Sequence, residues 1–243
     1  MTATPDTTIR EVVASDYRTA AIFQRHGLDF CCNGGRTIEQ GCRDAGADAD
    51  AVIHELDSVL GTPATGAPRF AAWDARTLIN YIVGNHHAYV RDALPVLLRH
   101  TEKISQVHGA KHPELVHIAD LFARVAREMD EHMMKEERVL FPFIAALEDS
   151  VVRGTPPEPA LFGTVANPIR AMEADHQFVG DAMAEIRHLT HDYTPPDDAC
   201  ATYRVCFQEL DAFERDLHDH VHLENNLLFP KAAVLEARRD VLR

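Results

Sequence analysis

The chain has 243 residues, 46% of them hydrophobic, and a formal charge of −14. That length suits one large domain, or a small domain beside a medium one, with apolar residues enough for a core. The acidic balance without a basic block argues against nucleic acid and anionic membrane as partners, and no run of about 18 apolar residues is present to span a bilayer.

The start, MTATPDTTIREVV, lacks the apolar stretch of a secretory signal. Five cysteines at scattered spacings do not make a disulfide framework, so reduced thiols and a cytoplasmic location are expected.

In chain order, Thr8 to His26 carries an apolar stripe (Ile9, Val12, Val13, Ala20, Ile22, Phe23) that predicts a helix ending at Gly27. Leu28 to Gly35 reads as a turn holding the adjacent Cys31 and Cys32. Thr37–Ala45 and Ala49–Leu60 read as two further short helices. The run GTPATGAPR at 61–69 is a linker by composition. The organisation is therefore a small helical domain at 1–60, a linker at 61–70 and a larger unit at 71–243.

The larger unit reads as four long helices, at roughly 74–100, 112–148, 167–192 and 197–238. Breaks are marked by Gly109/Pro113, by Gly154 to Pro159 and by Pro195-Pro196. Pro95, Pro142 and Pro230 should kink or end their helices, because proline lacks the N–H and crowds the preceding turn. The fold class is all-α, with an up-down-up-down four-helix bundle.

One pattern occurs twice in this unit. His132-Met-Met-Lys-Glu136 and His220-Val-His-Leu-Glu224 are each followed, after four residues, by Phe-Pro. The spacing puts imidazole and carboxylate one turn apart on one helix face. His87 precedes His132 by 45 residues, and His176 precedes His220 by 44. The unit is thus one helical hairpin repeated, each copy carrying a lone His and a His-x-x-x-Glu.

A single His-x-x-x-Glu is ordinary on a helix surface. Two copies with matched flanks and matched upstream histidines point to a metal site with ligands His87, His132, Glu136, His176, His220 and Glu224. The repeat selects Glu136 over Glu137, because Glu224 is followed by Asn225. Spacing favours His87 over His86. Imidazole with carboxylate suits iron, manganese or zinc. On an octahedral count, four histidines, two bridging carboxylates and an oxo or hydroxo bridge leave about one open position per ion. Leu140, Phe141, Leu228 and Phe229 would wall the site from water, and Met133, Met134, Val221 and Leu223 flank the ligands.

The other histidines need no metal. His218 and His222 lie two residues either side of His220 and face away from it. His54, His100, His108, His112, His117, His188 and His191 have no repeat partner and read as solvated.

Cys31 and Cys32 lie in a Gly-rich turn before a helix, whose N-terminus would favour thiolate. Redox chemistry, transient metal holding and two plain free thiols all remain open for them. Cys42, Cys200 and Cys206 read as packing residues.

Asp29-Phe30-Cys31-Cys32-Asn33-Gly34-Gly35, His132-Met-Met-Lys-Glu136-Glu and Leu223-Glu224-Asn225-Asn226-Leu-Leu-Phe-Pro230 together resemble the repair of iron centres (RIC) family, the YtfE/ScdA/DnrN group. The resemblance covers nearly the whole chain. It implies a hemerythrin-like four-helix bundle with two non-haem iron ions, oxo- or hydroxo-bridged, joined to a small helical N-terminal domain. The six metal ligands of the family fall on the six residues above, and its vicinal cysteines fall on Cys31 and Cys32, as redox or iron-transfer thiols.

It further implies repair of iron–sulfur clusters damaged by nitrosative or oxidative stress, with apo or damaged iron–sulfur proteins as partners and iron donation as the means. Alternatives are a di-iron catalyst that reduces nitric oxide or decomposes peroxide, and a sensor binding O2 or NO. A metal-free bundle is the remaining alternative. Whether the chain is an enzyme, and whether it forms a homodimer, are left open.

Overall fold

A computed structural model describes residues 2–62, 69–154 and 161–241. Most of the sequence-predicted linker and most of the Gly154–Pro159 break lie outside these residues.

The first sixty residues form α1 (Ile9–Ser15), α2 (Ala20–Arg25), α3 (Ile38–Ala45) and α4 (Ala49–Leu60). The single helix expected over Thr8–His26 is broken at Asp16, whose backbone is extended (φ −153°, ψ 105°). Its carboxylate accepts the Arg18 backbone N–H at 3.1 Å and grips the Arg18 guanidinium, a local bond that competes with helix continuation. Thr8 and Thr37 each close a capping box, with Glu11 and Gln40, and an isolated antiparallel bridge joins the two. Gly27 ends α2 at φ +70°, a conformation glycine adopts without a Cβ penalty.

Among the described residues the bundle has four rods. The first is α5 (Ala75–Tyr81), a π-helical turn at Ile82–His87 and α6 (Ala88–His108). The second is α7 (Glu114–Lys135), a π turn at Glu136–Leu140 and α8 (Phe141–Arg153). The third, α9 (Ala166–Leu189), is uninterrupted α-helix. The fourth is α10 (Ala201–His222), a π turn at Leu223–Leu228 and α11 (Phe229–Val241). α7 packs between α6 and α9, and α10 closes against α6, giving an up-down-up-down bundle.

Two of the prolines mark interruptions within rods that continue past them. Pro142 and Pro230 do not end their rods; they sit where the π turns return to α-helix. Widening the preceding turn relieves the clash between the proline ring and the carbonyl four residues back. Pro95 lies within α6, which continues past it.

The apolar interior falls into two clusters. One holds Val90, Met133, Val179 and Val221 and continues into Phe23, Leu28, Phe30 and Ile38 of the first sixty residues. The other holds Ile82, Leu140, Phe141, Met172, Leu223 and Leu228. Each rod passes from one cluster to the other at a polar buried residue: His87, His132 and Glu136, His176, or His220 and Glu224. A polar layer thus crosses the bundle between two apolar blocks.

Candidate metal centre

His87, Glu136, His220 and Glu224 bring one donor atom each within 4.8 Å of one another, and so do His132, Glu136, His176 and Glu224. All six side chains are buried. Each set takes one histidine from each hairpin and shares both glutamates. Glu136 Oε2 stands 3.3 Å from His87 Nε2 and 3.3 Å from His132 Nε2. Glu224 spans the sets with its two oxygens, Oε1 at 3.0 Å from His220 Nε2 and Oε2 at 3.0 Å from His176 Nε2.

Three of the ring orientations are fixed from outside. His87 Nδ1 meets Glu137 Oε1 at 2.6 Å, and His132 Nδ1 meets Asp175 Oδ2 at 3.3 Å. An ionised carboxylate only accepts, so each Nδ1 carries the proton. Hydrogen bonds from His132 and Lys135 hold Asp175 at about 2. Glu137 lies below the usual carboxylate range: burial opposes this, and His87 and Arg91 outweigh it. His176 Nδ1 meets Asn225 Oδ1 at 2.9 Å, while Asn225 Nδ2 donates to the Cys31 carbonyl at 3.2 Å. The amide can donate only from nitrogen, so His176 also donates from Nδ1.

With Nδ1–H turned outward, the Nε2 lone pair of a neutral ring points into the site. The Nε2 atoms of His87 and His220 are 3.1 Å apart, and those of His132 and His176 are 3.0 Å apart. Both oxygens of Glu136, Glu224 Oε2 and His220 Nδ1 make no hydrogen bond among the described residues. Converging lone pairs and unbonded buried carboxylates are costly without positive charge between them. The donor set therefore fits cations. In their absence protons take the place: burial opposes charge on His87 and His132, but Glu136 and Glu224 beside His87, with Glu136 and Asp175 beside His132, raise both to about 10. Glu136 stays ionised below its ordinary range, because His132 and His87 outweigh burial and the facing Glu224.

The walls repeat with the ligands. Phe141 stacks on His87 with ring centres 5.7 Å apart, and Phe229 on His176 at 6.1 Å. Leu140 and Leu228 are also buried there, as are Met133, Val221 and Leu223, whereas Met134 is exposed. The three π turns hold or adjoin His87, Glu136 and Glu224. Such turns recur at functional sites because one extra residue re-aims the side chains.

His86 is directed elsewhere, with Nδ1 2.9 Å from Asp216 and its ring stacked on His220. His218 and His222 do face away from the ligand layer, but toward the first sixty residues rather than solvent. His222 is buried against Tyr17 and Phe30, and burial with nearby Arg10 pushes it down to about 3. Asn226 donates to the Phe30 carbonyl at 2.8 Å and accepts from Arg10 Nε at 2.9 Å. A Cβ on Gly34 would lie 2.7 Å from Asn226 Oδ1, so this contact requires glycine. Consecutive residues of one turn thus have separate tasks: Glu224 joins the ligand layer, while Asn225 and Asn226 hold the cysteine turn. The sequence pattern alone assigns Asn225 and Asn226 no structural task. Two buried asparagines after a ligand were the available signal.

The cysteine turn precedes α3, which begins at Ile38 and is capped by Thr37. Asp29 Oδ1 lies 3.2 Å from Cys31 Sγ, and the two sulfurs are 3.8 Å apart. The Cys32 contact, burial and Asp29 push the Cys31 thiol up. Of the remaining cysteines, Cys42 and Cys206 are buried, but Cys200 is exposed and lies 3.2 Å from His108 Nε2. His100, His108 and His112 are half-buried and paired rather than solvated.

Comparison with known proteins follows the same division. Residues 78–232 match the hemerythrin HHE cation binding domain, and residues 5–60 match a domain of unknown function (DUF542). The chain is 35% identical over 215 residues to the iron-sulfur cluster repair protein YtfE of Yersinia pestis (strain Pestoides F), covering 88% of this chain and 91% of that protein. The YtfE protein of Yersinia pseudotuberculosis serotype O:1b (strain IP 31758) matches with the same identity and coverage. The chain belongs to the hemerythrin HHE cation-binding proteins, in the YtfE iron–sulfur cluster repair family.

Proposed function

We propose that this protein holds two non-haem iron ions, oxo- or hydroxo-bridged, and repairs iron–sulfur clusters damaged by nitrosative or oxidative stress by donating iron. His87 and His220 hold one ion, His132 and His176 the other, and Glu136 and Glu224 are shared between them. The observation that carries the reading is the buried layer of inward-facing Nε2 atoms and unbonded carboxylate oxygens. Bound iron supplies redox and Lewis-acid chemistry in this layer. The residues around it fix the rings, exclude water and keep the Nδ1 protons outside.

The relatives carry the name of iron-sulfur cluster repair proteins, which supports extending that role to this chain. In this reading apo or damaged iron–sulfur proteins are the partners, and the Cys31–Cys32 turn is the docking or transfer element. Among the described residues no helix is long and apolar enough to cross a membrane.

The test is to mix iron-loaded protein with an apo iron–sulfur acceptor under anaerobic conditions, with sulfide supplied. Cluster absorbance should appear faster than with equimolar free ferrous iron behind a dialysis membrane. Iron loss no faster with acceptor than with buffer would refute donation.

A further inference from the structure

A cleft of about 440 Å³ opens between the first sixty residues and α9–α10. Its lining includes Asp29, Cys31, Cys32, Gly180 and His218. Donor atoms of Asp29, Cys31 and Cys32 all lie within 4.8 Å of one another. The ligand layer of the bundle contains no thiol, so this is a different donor set.

We propose that Asp29, Cys31 and Cys32 form a second cation site, open to this cleft, that takes one thiophilic divalent ion. The proposal deepens the reading of the turn as a transfer element, and it does not require the bundle to hold iron.

The geometry suits such an ion. Two thiolates bound tetrahedrally at about 2.3 Å stand about 3.8 Å apart. The sulfurs of Cys31 and Cys32 are 3.8 Å apart already. Asp29 Oδ1 is held in place by the backbone N–H groups of Cys31 and Cys32, at 3.1 and 2.9 Å, and Asn33 Nδ2 donates to Oδ2 at 2.6 Å. The site is therefore formed before an ion arrives. Once ionised, three donors of one sign share this small space, and a divalent cation offsets their repulsion. On binding, each thiol S–H gives its proton to solvent and two sulfur–metal bonds form.

The cleft has the matching character. Asp29, Asp181, Asp192 and Glu214 line it; Arg187 pairs with Asp192 and Glu214, and Arg25 with Glu55, so Asp29 and Asp181 are the acidic lining groups with no arginine partner among the described residues, and they favour cations. His218 contributes a buried Nδ1 with no hydrogen-bond partner among the described residues. A Cβ on Gly180 would touch Cys32 Sγ at 3.8 Å, so glycine there leaves that side of the sulfur uncovered.

The test uses the iron-loaded 243-residue chain with Cys200→Ser, which removes the exposed thiol beside His108. Titration with Cd²⁺ in a thiol-free reductant should give one equivalent of thiolate-to-cadmium absorption and release about two protons, with iron content unchanged. Cys32→Ser should abolish the band. Asp29→Asn keeps an oxygen for the backbone N–H groups but loses the charge, and should weaken binding at least tenfold. No band, or a band that survives Cys31→Ser with Cys32→Ser, would overturn the site. Unchanged affinity in Asp29→Asn would remove Asp29 from it. The same titration of Glu136→Ala with Glu224→Ala separates the two readings: the cadmium band should persist there even though iron is lost.

Discussion

Asn225 joins His176 to Cys31. Its carbonyl oxygen accepts from His176 Nδ1 at 2.9 Å, and its amide nitrogen donates to the Cys31 carbonyl at 3.2 Å. One planar group thus spans from the ligand layer to the cysteine turn, and a shift at either end is felt at the other.

Asn225→Ala should consequently have two effects. Losing the partner that orients His176 should lower metal affinity about 10–100-fold. Losing the bond to Cys31 should loosen the turn. A chelator competition reads the first effect and limited proteolysis within the first sixty residues reads the second. Wild-type behaviour in both assays would mean that the link carries no load.

Replacing both thiols should be milder for the bundle. Asn225 holds the backbone carbonyl of Cys31, not its side chain. Cys31→Ala with Cys32→Ala should therefore keep the wild-type iron spectrum while cluster repair falls. Loss of iron in this variant would show that the thiols support the centre directly.

Glu136→Ala and Glu224→Ala should each lower metal content and stability together, because metal binding is linked to folding. Removing one partner from a buried charged network costs about 3–5 kcal/mol. Elemental analysis and thermal melting should move in parallel; a variant with full metal content would exclude that glutamate as a ligand.

The metal-free protein should take up metal more tightly as pH rises. Unfolded imidazoles titrate near 6.5, whereas His87 and His132 titrate at about 10 in the fold. Between these values the folded site keeps protons that the unfolded chain releases. Their stabilising contribution is full below 6.5 and is lost as pH rises through 10. A metal ion must displace the same protons, so its affinity climbs across this window. Titration calorimetry in buffers of different ionisation enthalpy counts the released protons. Binding that is flat in pH, with no release, would contradict the argument.

How much the sequence reveals depends on range. The pairing of His132 with Glu136 and of His220 with Glu224 is local, because helix geometry alone sets an i,i+4 face. The 44- and 45-residue spacings carry the hairpin repeat with no knowledge of packing. The division of labour around the layer is not local. Glu137 and Asn225 occupy equivalent places in the repeat, yet one is a carboxylate and the other an amide reaching Cys31. Asp175 adjoins His176 in sequence but serves His132 from the neighbouring helix. The extended Asp16 was hidden for a related reason: an apolar stripe continued past a residue whose own side chain bonds the next turn.

The order of the residues by itself determined four rods, a duplicated ligand pattern and an adjacent-thiol turn, because helix periodicity and turn chemistry act over a few residues. Tertiary structure decided that each donor set draws one histidine from each hairpin, that π turns re-aim the ligands, and that the thiols line a cleft against α9 and α10. Those outcomes depend on which surfaces meet once the apolar clusters close, and no local spacing encodes that choice.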